Sequence, residues 1–194
     1  MKTRPLTGEA LEQALPALAA LRIEVFRAFP YLYAGTEDYE QTYLRDFAAA
    51  KDSFIIAAET EAGEIVGCAT GSAITGHHGE FAAPLAAAGY DLATTFYFGE
   101  SVLRPAYRGH GLGHAFFDAR EAHARARGYK RTCFCAVQRS SGDPRRPADY
   151  SPLDAFWTKR GYRQLDGLLT HFDWPVEPGG PSERHPMGYW LRAL

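Results

Sequence analysis

One stretch carries most of the information, and it reads Phe98-Gly99-Glu100-Ser101-Val102-Leu103-Arg104-Pro105-Ala106-Tyr107-Arg108-Gly109-His110-Gly111-Leu112-Gly113. Its first half is rich in β-forming residues and closes on an Arg-Pro pair, which is typical of a strand that ends in a turn. Its second half has alternating glycines just before a run with helical periodicity. Glycines let the backbone approach a ligand closely, and the following helix adds its positive N-terminal end. The stretch therefore predicts a strand, a phosphate-binding turn and a helix.

The glycine spacing excludes two common phosphate-binding motifs. No Gly-Lys-Ser/Thr follows, as a Walker loop requires, and the pattern differs from the Gly-x-Gly-x-x-Gly of dinucleotide-binding folds. A nucleotide- or phosphate-binding enzyme that reuses the glycine turn in another way stays open as an alternative.

Outward from this stretch, the chain alternates between helical and strand patterns. Apolar residues recur every three or four positions from Leu11 to Phe29, with Pro16 either bending that helix or starting it. Further helices are predicted from Glu37 to about Ala50 with Thr36 as cap, and over 79–89, 111–127 and 152–160. Strands are predicted over 53–60 and 64–73 as a hairpin, and over 94–103, 132–137, 162–174 and 187–194. This order predicts an α/β (α+β layered) domain on one mixed sheet.

The helix over 111–127 is amphipathic, with Leu112, Phe116 and a row of alanines that includes Ala122 and Ala126 on one side. We expect that side to pack on the sheet. Gly128 is expected to end the helix.

Length and composition indicate one globular domain over residues 1–194. The chain has 46% hydrophobic and 23% charged residues and a formal net charge of −2. A general nucleic-acid binder would have a strong basic excess, so that class is excluded. No apolar run reaches the length of a membrane span, and the N-terminal segment is a poor signal peptide. Three cysteines without a CxxC pair do not make a disulfide framework, which favours a cytoplasmic protein.

The charge is unevenly distributed along the chain. Residues 31–64 contain eight acidic and two basic residues, whereas residues 104–131 contain seven basic and two acidic ones. Such segments suit a protein that holds an anionic cofactor on one side and a cationic substrate on the other. Two solvated surfaces are the alternative explanation.

With these elements in place, the chain resembles the GNAT superfamily of N-acetyltransferases. The family's acyl-CoA signature, Arg/Gln-x-x-Gly-x-Gly/Ala, is met by Arg108, Gly111 and Gly113. A second family segment, a helix that ends in Gly-Phe/Tyr before a strand, is matched by 155–162, and the opening strand by 4–7. The matches follow the family's order along nearly the whole chain.

The resemblance implies a GNAT-like fold, with a mixed and mostly antiparallel central sheet and helices on both faces. It implies acetyl-CoA, or another acyl-CoA, as cosubstrate and no metal. The pyrophosphate would lie on the backbone of Arg108, Gly109, His110, Gly111, Leu112 and Gly113. The pantetheine arm would pair with the main chain of Val102 and Leu103, and Trp157 would contribute to the cofactor site. A neutral amine would attack the thioester directly, without an acyl-enzyme.

Catalysis also requires removal of a proton from the ammonium group of the acceptor. Glu100 lies directly before the signature, where several family members have an acidic residue, and a carboxylate there could take the proton directly or through water. The alternative is a glutamate held by an arginine or histidine for structural reasons. The family's tyrosine acid is replaced by Trp157, which has no proton to release, so Tyr150 is the substitute that we consider.

Other residues have simpler explanations. His110, His114 and Asp118 recur every four residues and could present metal ligands on one helix side, but no further ligand is evident and we predict no metal. His77 and His78 could line an acceptor pocket or lie in an exposed loop. Cys133 and Cys135 share one side of a strand and are expected to be buried thiols.

The acceptor is expected near the segment between the first two helices. Aromatic residues at 29–33 and Tyr39, with Glu37, Asp38 and Glu40, would suit an amine with a positive charge. Small molecules and peptides both remain as acceptors, and a homodimer stays open.

Two function classes follow. The first is an acyl-CoA-dependent N-acetyltransferase acting on a primary amine. The second is a non-catalytic acyl-CoA sensor of the same fold. A Glu100 that faces an open cleft favours the enzyme, and a buried, ion-paired Glu100 favours the sensor.

Overall fold

The structure is a computed structural model that describes residues 1–76 and 79–194. Its helices are α1 (Gly8–Phe26), α2 (Glu37–Ala49), α3 (Gly79–Ala87), α4 (Leu112–Ala126) and α5 (Asp154–Lys159). Its strands are β1 (Lys2–Pro5), β2 (Phe54–Glu59), β3 (Ile65–Ala73), β4 (Thr95–Tyr97), β5 (Ser101–Leu103), β6 (Arg131–Val137), β7 (Arg163–Pro175) and β8 (Ser182–Ala193).

These strands form one sheet in the order β1-β2-β3-β4-β6-β8-β7, with β5 also paired to β3. Every pairing is antiparallel except β4 with β6, which is parallel. The predicted mixed, mostly antiparallel sheet is therefore confirmed.

Strand alternation places helices on both faces of the sheet. Ile55 and Ala57 of β2 are buried with the apolar residues of α1 and α2, whereas Ile56 and Ala58 are buried with Leu112 and others of α4. Successive side chains of a strand point to opposite faces, so α1 and α2 cover one face and α4 the other. This part of the fold prediction is confirmed.

The two N-terminal helices begin and end close to their predicted limits. Helix α1 begins at Gly8, so Pro16 lies inside it and is not its start. Thr36 occupies the N-cap position of α2, as predicted, but its side chain makes no capping hydrogen bond.

The single strand predicted over 94–103 is wrong. Two short strands, β4 and β5, flank the irregular segment Phe98-Gly99-Glu100. Strand β4 pairs with both β3 and β6, whereas β5 pairs with β3 alone. The break exists because β5 stays with β3 while β6 continues beside β8. A local propensity pattern cannot report such a divergence of neighbouring strands.

The C-terminal strand is longer than predicted. It starts at Ser182 instead of Met187 and pairs along most of β7, which lies at the edge of the sheet. This long hairpin supplies one wall of the cleft described below.

Candidate functional site

The sheet opens between β5 and β6. The Phe98 N–H donates to the Cys133 carbonyl at 2.8 Å, directly after the parallel pairing of β4 with β6. Beyond that point β5 pairs with β3 and β6 pairs with β8, so a wedge-shaped gap separates the two strands. Gly99 lies at its apex, where a Cβ atom would come within 2.9 Å of the Phe47 ring. Glycine therefore suits this turn because the backbone passes so close to the aromatic ring.

The strand register determines which backbone groups face the wedge. The Glu100 carbonyl accepts from Thr70, the Arg104 N–H donates to Val66, and Val102 lies opposite Cys68 on β3. Because antiparallel pairing alternates, the N–H and C=O groups of Ser101 and Leu103 are directed away from β3 and into the wedge.

The backbone of Val102 is therefore turned toward β3, and its side chain is fully buried in the core. Of the two residues predicted to contact the pantetheine arm, the register leaves the main chain of Leu103 facing the wedge. Ser101, which the sequence did not single out, shares that direction. On the opposite strand, the same alternation turns the main chain of Cys135 and Val137 into the gap.

A buried arginine fixes the apex of the wedge. Arg120 of α4 is 1% exposed and donates to the carbonyls of Thr70 at 3.1 Å and Glu100 at 2.9 Å, and to the Ser101 hydroxyl at 2.7 Å. Its guanidinium also lies 4.1 Å from the centre of the Phe98 ring. Burial lowers the pKa of Arg120 to about 10, which still leaves it charged at neutral pH.

The glycine turn lies at the wide end of the wedge. Gly109 and Gly111 both have φ near +80°, and a Cβ atom at either would meet open space. Positive φ at these positions strains any other residue, whereas the open space leaves the backbone accessible to a ligand. Helix α4 begins at Leu112, directly after the turn, so its first N–H groups face the same region. The Arg108 side chain folds back and donates to the Leu103 carbonyl at 3.2 Å.

A cleft of about 360 Å³ meets the wedge at its apex, where Gly99 and Glu100 are among the lining residues. Its wall contains a chain of neighbouring rings that we call the aromatic arc: Tyr33, Phe26, Tyr31, Trp174, Phe172, Phe81 and Tyr97. Successive ring centres lie 4.7–6.3 Å apart. The arc draws on α1, the segment after it, α3, β4 and β7, so only the folded chain assembles it.

One end of the cleft carries a buried charge cluster. Arg22 of α1 is 6% exposed and forms ion pairs with Glu40 of α2 and with Glu100. The Tyr43 hydroxyl donates to Glu100 Oε2 at 3.4 Å. Burial by itself lowers the pKa of Arg22, but Glu100, Tyr43 and Glu40 more than offset this, and that pKa lies well above its usual value.

The tyrosines of the cleft are neutral at physiological pH. Burial, reinforced by neighbouring acidic groups, raises the pKa of Tyr31, Tyr33, Tyr43 and Tyr97 above the usual phenol value. Among the described residues, the side chains of the cleft wall that carry a formal charge are Arg22, Glu100 and Asp173.

Comparison with known proteins identifies the family. A model of the acetyltransferase (GNAT) family matches residues 18–147, well over half of the chain. The chain belongs to the GNAT acetyltransferase family. No curated protein matched the sequence.

Solved structures show the same fold at low sequence identity. A ribosomal-protein-alanine N-acetyltransferase from Brucella melitensis is 15% identical, with a TM-score of 0.64 and all of both chains covered. An aminoglycoside 6'-N-acetyltransferase complexed with coenzyme A is 13% identical, with a TM-score of 0.64, covering 100% of this chain and 97% of the other. A phosphinothricin acetyltransferase from Sinorhizobium meliloti, in complex with acetyl-CoA, is 14% identical, with a TM-score of 0.61 and coverages of 100% and 88%.

Within this GNAT protein, Glu100 meets both of the conditions that were set for it. It lines the cleft, and it is also 9% exposed and ion-paired with Arg22. Arg22 is thus the arginine partner that the structural alternative predicted for Glu100, and the cleft also reaches the Glu100 side chain.

Tyr150 does not belong to the cleft wall that the described residues form. Its ring packs edge-on against Phe29 at 4.7 Å between ring centres and lies under the Arg146 guanidinium. Trp157, the other residue of interest for the acid step, packs edge-on against Phe134 and Trp190 at 5.0 Å each. The structure thus brings neither ring to Glu100 by any of these contacts.

The predicted cofactor residues from Arg108 to Gly113 form the glycine turn and the start of α4. His110 is exposed in the glycine turn, and Leu112 is buried at the start of α4. A Cβ atom at Gly113 would lie 3.5 Å from the Phe156 ring, so α5 packs against the first turn of α4.

Of the two histidines that could have suggested a metal, His114 has another partner. Nδ1 of His114 lies 3.1 Å from Arg160, which also donates to Asp118 at 2.6 Å. Across residues 1–76 and 79–194, no group of three metal-ligating side chains was found. His77 and His78 lie outside the described residues.

The oppositely charged segments of the chain pair with each other at two places. Arg104 contacts Glu64, and Arg127 contacts Asp52 at 2.6 Å. Part of the uneven charge is therefore structural.

Cys133 and Cys135 are buried free thiols, as predicted. In the described part of the chain no helix combines the length and apolarity needed to cross a bilayer.

Sequence analysis missed the two buried arginines. The buried side of α4 includes Arg120 and Glu121, whereas Ala122 and Ala126, predicted to face the sheet, are exposed. Arg22 likewise continues the apolar spacing of α1. A charged residue at an apolar position of a helix was the available signal, because burying a charge requires partners.

Proposed function

We propose that this protein transfers an acetyl group from acetyl-CoA to a primary amine by direct attack of the amine on the thioester. One observation supports the proposal above the others. One continuous segment leads from Glu100 in the cleft through β5 and a short 3-10 turn to the glycine turn that precedes α4. An extended thioester along that segment would have its phosphates at the turn and its acyl group beside the cleft.

The residues fit acetyl-CoA chemically. Open space over Gly109 and Gly111, with the N-terminal N–H groups of α4 behind them, suits a pyrophosphate. The main-chain groups of Ser101 and Leu103 suit the amides of the pantetheine arm, as an added strand would. The Ser101 N–H, which is directed into the wedge next to its apex, would stabilise the oxyanion that develops on the thioester carbonyl.

Glu100 is the base in this proposal. Its carboxylate lies where the cleft meets the wedge, so an ammonium bound in the cleft could release its proton to Glu100 directly or through water. Arg22 and Tyr43 hold the carboxylate in place and act as positioning residues.

The thiol side needs no strong acid. A thiol with a pKa of about 8.5 leaves tolerably as thiolate. The mechanism therefore does not depend on Tyr150, which the sequence suggested as proton donor, or on Trp157.

An acyl-CoA sensor without turnover is the second candidate. The burial of Glu100 in an ion pair with Arg22 is the observation that favours it. Both functions require the same cosubstrate site, so one experiment addresses the site and a second readout separates the two.

The experiment is calorimetric titration of acetyl-CoA, with free CoA in parallel, into the wild type and the variants Gly111→Glu and Gly89→Glu. Both glycines have φ near +80° and open space at Cβ, so both substitutions carry a similar backbone strain. Only Gly111→Glu adds a carboxylate and a side chain to the proposed phosphate site. We expect binding to be lost in Gly111→Glu and retained in Gly89→Glu.

Thiol release during incubation with a broad amine panel separates the two functions. Amine-dependent release supports the acetyltransferase, and saturable binding without release under any amine supports the sensor. Equal binding by all three proteins would refute the proposed phosphate site.

A further inference from the structure

The acceptor cleft has two chemically different parts, and both face the same space. The aromatic arc forms the larger part, and Arg22 and Glu100 line one end, where the fully buried Glu40 forms an ion pair with Arg22 from outside the cleft wall. The Arg22 guanidinium lies 5.2 Å from the centre of the Phe26 ring, so the cluster and the arc are in contact. A ligand that fills the cleft therefore meets ring faces and charge at once.

The charge cluster is one positive charge short of balance. Arg22 carries one positive formal charge against the two carboxylates of Glu40 and Glu100, and Asp173 adds a third carboxylate to the wall. Arg22 Nη1 and Glu100 Oε1 are buried and form an ion pair with each other. A primary ammonium would supply the missing positive charge and could donate hydrogen bonds to the Glu100 carboxylate, but not to Arg22, which has only donors.

From these observations we propose that the acceptor is an aromatic primary amine, with its flat ring against the aromatic arc and its ammonium group beside Glu100. This inference rests on the proposed function and narrows it to a substrate class. The narrow cleft, about 360 Å³, is at the small end of ligand pockets and fits one ring system with a short linker.

The same features disfavour other amines. An amino sugar would bury hydroxyl groups against the ring faces of the arc and has no flat π-system to stack on them. A lysine side chain or a linear alkylamine fills less of the arc, makes no offset-stacked contacts with its rings, and loses more rotamer freedom on binding.

The experiment compares 2-phenylethylamine, 2-cyclohexylethylamine, n-hexylamine, glucosamine and a lysine-containing peptide as acceptors. Product is measured by mass spectrometry with saturating acetyl-CoA, and binding of each amine to the complex with CoA by calorimetry. The cyclohexyl compound is the matched control, because it has the size and linker of the aromatic one without a flat π-system. We expect kcat/KM for 2-phenylethylamine to exceed each of the others at least tenfold, a difference of about 1.4 kcal/mol.

Two variants locate the preference in the arc. Phe172→Leu removes one ring from the cleft wall, and Phe54→Leu removes a half-buried ring that stacks on His123 outside it. The phenyl-to-cyclohexyl ratio should fall at least threefold in Phe172→Leu and stay at the wild-type value in Phe54→Leu. This ratio is insensitive to a general loss of folded protein.

The outcomes separate the two proposals. Equal or better acetylation of hexylamine, glucosamine or the peptide overturns the substrate class and leaves the acetyltransferase intact. If no amine is acetylated while acetyl-CoA binds, the proposed function fails. Calorimetry of amine binding then tests the aromatic-amine site without relying on acetyl transfer. Tighter binding of 2-phenylethylamine than of the cyclohexyl and hexyl amines supports an aromatic-amine site, and equal binding overturns it.

Discussion

Replacing Arg120 by methionine tests the idea that one buried guanidinium holds the wedge open. Methionine keeps most of the apolar stem of arginine and removes its donors. In the wild type those donors reach the carbonyls of Thr70 and Glu100 and the hydroxyl of Ser101, at 2.7–3.1 Å. All three acceptors lie where β5 separates from β6.

The size of the effect follows from two opposing terms. Within the described residues, Arg120 makes four hydrogen bonds. The three at the wedge apex contribute about 1.5–3 kcal/mol each, whereas the fourth, from Nε to the Phe116 carbonyl at 3.2 Å, lies within α4 and is left out of this sum. Against this, burial lowers the pKa of Arg120 from its usual value to about 10, and at about 1.36 kcal/mol per pKa unit this offsets about 3 kcal/mol. Methionine avoids that penalty, so we expect a net loss of about 3 kcal/mol in the free energy of unfolding. For a chain of this size the loss lowers Tm by roughly 6–12 °C.

Thermal and guanidinium unfolding measure this difference, with Arg125→Met as control. Arg125 lies on the same helix, its side chain is 48% exposed, and it approaches Glu121 only at 4.0 Å, so we expect a change below about 0.5 kcal/mol. The affinity of the Arg120 variant for acetyl-CoA should also fall under conditions where it is fully folded. If both variants unfold at the same temperature, the assigned role of Arg120 is wrong.

The remaining predictions concern the base and a distant ion pair. Glu100→Gln should lower kcat/KM for the amine by about 10²–10⁴ and leave acetyl-CoA affinity unchanged within about twofold, whereas Glu61→Gln, in the exposed turn after β2, changes neither. Kinetics and calorimetry decide this, and parallel losses of affinity and rate would contradict a role limited to proton transfer. Asp52 accepts from Tyr129 at 2.7 Å and from Arg127 at 2.6 Å, which lowers its pKa. Because its folded pKa lies below the unfolded one, its stabilising contribution is present above about pH 4 and is lost as the pH falls through the folded value. The Tm difference between wild type and Asp52→Asn should therefore narrow between pH 7 and pH 2, and a constant difference would refute the linkage. Tyr129→Phe should cost about 1 kcal/mol at pH 7 in urea unfolding, and an unchanged midpoint would mean that this bond contributes nothing.

Most secondary structure could be predicted because it depends on local patterns. The spacing of leucines predicted α1, and two largely apolar runs joined by Glu61-Ala62-Gly63 predicted the hairpin of β2 and β3. The glycine turn before α4 was predictable for the same reason, since positive φ at Gly109 and Gly111 is a property of single residues.

The buried side of α4 shows where local patterns mislead. When only apolar residues are counted, the pattern predicts that Ala122 and Ala126 of α4 face the sheet, because such a count leaves arginine on the solvent side. The wedge apex offers carbonyls that solvate the Arg120 guanidinium inside the protein, so the helix buries that charge and exposes the alanines. The cost of burying this charge is offset by acceptors on other elements, so it cannot be judged from the sequence of α4 alone.

The sequence by itself determined the family signature, the helices, most strands and the position of Glu100 directly before β5, because each depends on consecutive residues. Only the tertiary structure decided that β5 separates from β6 and that Arg22 forms ion pairs with both Glu40 and Glu100. It also brings rings from five parts of the chain together in the aromatic arc. These features depend on contacts between segments far apart in sequence. Helical and strand periodicity fix which face of each element is apolar, but not which other element that face meets.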